Sequence, residues 1–167
     1  APARLDSNSN IVTLDRQDRH LWKHGQTREA DVLLQKALRR KQTGSYQMQA
    51  AISGVHCLTP TATATDWHEI VGLYRHLLKF DCSPVVQLNY AVALMMSGDH
   101  DTPGTILERL RDALQNYSPY FAAWGRLCEL RGDMQAAGAA LDQAAALSAS
   151  EQERRFHLSR AASMLAS

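Results

Sequence analysis

Apolar residues along this chain recur at every third or fourth position and nowhere alternate convincingly with polar ones. That period keeps one side of a helix apolar, whereas a half-buried strand needs a period of two. Ala30, Leu33, Leu34, Ala37 and Leu38 make one stripe. Trp67, Ile70, Val71, Tyr74, Leu77 and Leu78 make a second, and Phe121, Trp124, Leu127 and Cys128 a third. Helix punctuation brackets these stripes. Ser83-Pro84, Ser118-Pro119 and Thr102-Pro103 each set a capping hydroxyl before a proline at the first helical position. Asp66 with Glu69, and Ser150 with Glu153, have capping-box spacing. Gly98 and Gly132 stand where helices stop, each followed by an aspartate able to cap the next. The pattern predicts helices over 27–41, 45–57, 66–80, 84–97, 103–115, 119–131, 133–147 and 150–165, an all-α chain.

The helices repeat. Gly25-Gln26, Ala30, Leu34, Ala37 and Leu38 align without a gap on Gly132-Asp133, Ala137, Leu141, Ala144 and Ala145. Small residues fall where two helices approach closely, and larger ones fill the groove between them. This is the tetratricopeptide pattern, a helix pair of about 34 residues. Residues 119–147 fit best, with Gly125 at the small-residue position of the first helix. The expected architecture is a tetratricopeptide-like array of helical hairpins, an α-solenoid, over residues 15–167. Its units lie near 15–41, 45–80, 84–115 and 119–147, followed by a capping helix at 150–165 with Phe156 and Leu165. Residues 1–14 form a polar linker. Single units cannot bury their apolar faces, so stacking builds the core.

At 167 residues this suits one domain. Its 18 Lys and Arg against 17 Asp and Glu leave no broad electrostatic footprint for nucleic acid. Arg39, Arg40 and Lys41, with nearby Lys36, form the nearest thing to a basic run, and a helix C-terminus accommodates cations there. A nucleic-acid-contacting array rests on those residues alone. Three separated cysteines (Cys57, Cys82, Cys128) suit reduced thiols. No apolar run reaches membrane-spanning length and no signal peptide opens the chain, so a cytoplasmic location is expected. The start at Ala1 within polar APARLDSNSN is expected of a piece of a longer protein.

Chemistry is sparse. His20 and His24 have chelating spacing, but nothing completes a ligand set, so solvated histidines are expected. His68 and His76 read as polar-face residues. No nucleophile elbow, phosphate loop, dinucleotide fingerprint or zinc-protease motif is present, and neither catalysis nor a cofactor nor a metal is expected. Trp22, Trp67, Trp124, Tyr46, Tyr74 and Tyr90 offer either a base-stacking surface or core packing, and their places on apolar stripes favour the core. Asn89 lies at a first-helix position where a side-chain amide either holds a bound peptide's backbone or bonds a neighbouring helix end. With Tyr46 and His56 it would line a concave groove, able to take a peptide, a protein partner or a small ligand.

The stretch "LDRQDRHLW", residues 14–22, precedes the first stripe. Asp18 and Arg19 can cap or pair with helix ends while Leu21 and Trp22 bury against the first unit, contributing roughly 2–3 kcal/mol. It then acts as a latch, with a partner contact through Arg16, Gln17, Asp18, Arg19 and Trp22 as the alternative.

"LDRQDRHLW", "YQMQAAISGVH", "TDWHEIVGLYRHLLKF", "SPVVQLNYAVAL" and "ERRF" occur in that order across the chain. Together they resemble the long tetratricopeptide-like C-terminal extension of some bacterial extracytoplasmic-function (ECF) sigma factors of RNA polymerase. The resemblance runs from about Ile11 to Leu165. It implies a regulatory interaction domain that modulates transcription initiation, with the parent's DNA-binding segments and the polymerase core as partners. Promoter recognition would belong to those segments, and "QDR" would mark the junction with them. No direct nucleic-acid or membrane contact by these residues is implied.

Overall fold

The computed structural model describes residues 44–58 and 64–165, together with Ile11, Val12 and Gln17. The helix expected over 27–41 and its stripe from Ala30 to Leu38 lie outside the described residues. All the described elements are helices: α1 (Ser45–Leu58), α2 (Trp67–Leu77), α3 (Pro84–Met96), α4 (Thr102–Leu110), α5 (Ser118–Leu130), α6 (Met134–Ala146) and α7 (Glu151–Leu165).

Each helix packs against the next in sequence, and α3 also touches α5. The stripes supply the core. Ile70, Val71 and Leu77 of α2, Leu88, Ala91 and Leu94 of α3, Leu107 of α4 and Leu127 of α5 are buried in one cluster. Trp67, Tyr74, Tyr90 and Trp124 pack against it from partly buried positions, as their places on the stripes predict. On α6 the buried set is Ala137, Ala140, Leu141, Ala144 and Ala145. Its small side chains let neighbours come close. A Cβ on Gly125 of α5 would stand 3.2 Å from the Ala137 carbonyl oxygen and 3.3 Å from Leu141 Cγ. The small-residue position read from the sequence is therefore a close approach of α5 and α6.

Helix ends follow the punctuation in part. Asp66 accepts from the Glu69 amide at 2.9 Å, Asp133 from Ala136 at 2.9 Å, and Ser150 from Glu153 at 3.2 Å. Gly98 and Gly132 have φ of 95° and 80°, the left-handed region that glycine enters without strain. The Ser-Pro sites differ from expectation. Ser83 precedes α3 but makes no capping bond through its side chain. The turn ahead of it is held instead by Asp81, which accepts from the Ser83 amide at 2.9 Å. Ser118 is the first residue within α5, and its hydroxyl donates across to Ala144 O of α6 at 2.8 Å. Thr102 lies inside α4, whose entry is organised by Asp99, accepting from the amides of Asp101 and Thr102. The α4 helix also stops at Leu110 rather than 115. There the Arg111 amide turns to Glu108 O, three residues back, and the chain continues in turns while Leu114 stays buried.

Candidate functional site

Asn89 is the residue of α3 that the sequence singles out for a partner contact. On α3 it is exposed, with Val85 one turn before it, Val92 one turn after and Met96 two turns after. Residues at these spacings share a helix face. Val85 and Met96 are themselves exposed, whereas Val92 packs partly on the core. Among the described residues the Asn89 amide has no hydrogen-bond partner. It does not bond a neighbouring helix end. A free primary amide in an apolar stripe offers both a donor and an acceptor to a partner's backbone, while the flanking side chains meet apolar groups.

Polar and aromatic groups beside that face hold α3 in place. Arg75 of α2 donates from Nε to the Tyr90 hydroxyl at 3.1 Å, and the Tyr74 and Tyr90 rings lie 6.5 Å apart. Burial pushes the Tyr74 hydroxyl above its ordinary pKa. Tyr120 of α5, buried between α4 and α5, donates its hydroxyl to Leu107 O at 3.2 Å and meets Phe121 edge-on at 5.1 Å. Arg111 stands 5.7 Å from the Trp124 ring centre, a cation–π arrangement.

The other residues singled out from the sequence have separate settings. Tyr46, in the first turn of α1, is 86% exposed, unlike Trp67, Tyr74, Tyr90 and Trp124, which pack against the core. His56 meets Trp67 edge-on at 5.1 Å, which places it on the seam between α1 and α2. Gln17 donates from Nε2 to Val12 O at 3.0 Å, a local bond in the opening stretch. Arg16, Asp18, Arg19 and Trp22 lie outside the described residues, as do His20, His24 and the Arg39–Lys41 run. His68 and His76 are exposed. Among the described residues there is no group of three or more His, Cys, Asp or Glu placed to hold a metal ion, and no helix is long and apolar enough to cross a membrane.

Two polar clasps were not legible in the sequence. Arg131, at the end of α5, donates to His100 O at 2.9 Å and lies over Gly104. Glu129 Oε2 takes Arg126 and Arg160 at once, each at 2.8 Å. The partners in each clasp that link separate elements are 31 residues apart, so no local pattern announces them.

No family model matches the chain, and no solved structure matches it. An uncharacterised protein of Rhizobium meliloti (strain 1021) is 36% identical over 156 residues, covering 93% of this chain. The chain spans 37% of the length of that curated relative.

Proposed function

We propose that this chain is a tetratricopeptide-like regulatory domain of an ECF sigma factor, working through protein contacts to modulate transcription initiation. The observation that carries the repeat reading is the pair of turns at Gly98-Asp99 and Gly132-Asp133. Both glycines have positive φ, both aspartates accept amides at the entry of the following helix, and the turns recur at the unit length of about 34 residues. Packing of α3 on α5 agrees, because the first helices of successive units meet in such stacks. The sigma-factor part rests on the ordered resemblance of five segments. A relative more than twice as long leaves room for further segments beyond the matched region.

Within this reading the partner meets the α3 face around Asn89, and the domain has no catalytic task. The partner is a segment of the parent sigma factor or of RNA polymerase, and the domain is cytoplasmic. Binding of the purified chain to the parent's DNA-binding segments and to core polymerase tests it, with Asn89→Ala and Met96→Ser as surface variants. Saturable binding weakened by either variant supports the proposal. Binding to neither target, with the chain shown folded by circular dichroism, refutes it.

A further inference from the structure

The last helix, α7, is polar along most of its length, yet it packs along α6. Of its described side chains, Ala161 is buried, while Phe156, His157, Arg160 and Met164 are half-buried. One ion pair ties it to α5, from Arg160 to Glu129 at 2.8 Å. α7 lies close along α6, but the side chains it buries there are few, so a change at one of them bears directly on its docking.

His157 is placed to change that cost. Its ring meets Phe156 edge-on at 5.4 Å, and its Nδ1 is buried with no hydrogen-bond partner among the described residues. A neutral imidazole protonated on Nε2 leaves only a bare lone pair there, whereas the imidazolium forces an N–H into a place without an acceptor. We propose that protonation of His157 releases α7 from α6, making the α6–α7 seam an acid-sensitive latch.

The charges around the ring are few. On α7, Arg160 opposes the imidazolium and Glu153 favours it. Asp142 is the sole ionisable side chain on α6, and it is exposed. From α5, Glu129 is paired with Arg160 and also with Arg126. Burial, then Arg160, holds the docked imidazole below its ordinary value of 6.5. As pH falls below 6.5, the released helix takes up a proton that the docked helix does not. Docking therefore weakens toward acid and is unaffected well above that value.

Amide hydrogen exchange of the whole chain at about pH 7.5 and about pH 5.5, on either side of an ordinary imidazole pKa, reads the latch. After correction for intrinsic rates, α7 amides should exchange several-fold faster at the lower pH, up to about tenfold per pH unit for one linked proton. Protection in α3 should not change. His157→Gln, neutral at both values, should abolish the difference in α7, and His157→Phe serves if the glutamine variant leaves α7 loose throughout. Equal protection of wild-type α7 at the two pH values overturns the proposal. So does a pH response that persists in the His157 variants.

Discussion

At Gly125 a side chain as small as a methyl group would press on the Ala137 carbonyl and on Leu141, whereas at Gly72 in α2 it would meet nothing within 4 Å. The two glycines therefore answer oppositely to substitution. Gly72→Ala should raise stability by roughly 0.5–1 kcal/mol, because alanine loses less conformational freedom in a helix. Gly125→Val should lower it by about 1–3 kcal/mol through overpacking, more than the helix propensity it gains. Urea unfolding followed by circular dichroism distinguishes them by opposite shifts of the midpoint. Leu141, fully buried, should not tolerate Asp at all, since the charge would lie unpaired between helices. Leu78, half-buried just past α2, should lose less with the same change. The thiols differ too. Cys82 is exposed, while Cys128 is buried and its thiol is held above the usual value by that burial. Iodoacetamide labelling with peptide mapping should mark Cys82 first and Cys128 only as the domain unfolds. Equal rates at both would contradict the packing of α5.

Among the described residues the existence and order of the helices were legible from apolar stripes such as those of α2 and α5 and, for polar α7, from the Ser150–Glu153 cap, so α1 to α7 each begin within a residue or so of the expected place. Their ends depended on bonds that residue type alone does not decide. Ser118 has a hydroxyl suited to capping, but Ala144 O lies across the seam and takes it. Leu110 ends α4 although the apolar period runs on to Leu114, because the Arg111 amide turns to Glu108 O and the chain goes on in turns. The site was legible to a lesser degree. Asn89, singled out by its expected place in a repeat, is exposed on α3, and Tyr46 is exposed as a groove residue would be and not buried as a core aromatic would be. The clasp of Arg131 on His100 and the sharing of Glu129 needed the tertiary structure, since only packing brings those residues together. Tyr120 shows how such a link stabilises one element on another. Tyr120→Phe keeps the ring and leaves Leu107 O without the hydroxyl, so it should cost about 1 kcal/mol with the helix content unchanged. Thermal melts that overlay for the two proteins would show that the bond contributes nothing.

On the scale of the whole molecule, near neutrality of charge sets what the chain does alone. With 18 basic and 17 acidic side chains its surplus is a single positive charge, too small to release many counterions from DNA, and the isolated chain should show no useful promoter affinity. Fluorescence anisotropy at physiological salt would register sub-micromolar, sequence-dependent binding if that reasoning were wrong. Under the proposed regulatory reading the chain works through protein contacts, and the exposed α3 face around Asn89 is the surface proposed for them. The most direct test of the proposed sigma-factor role is transcription from a cognate promoter by RNA polymerase carrying the full-length protein, whole or with these residues deleted. The deletion should change transcript yield while leaving the full-length protein's affinity for promoter DNA unaltered. Identical yields from the whole and truncated proteins, with the same affinity for polymerase, would contradict it.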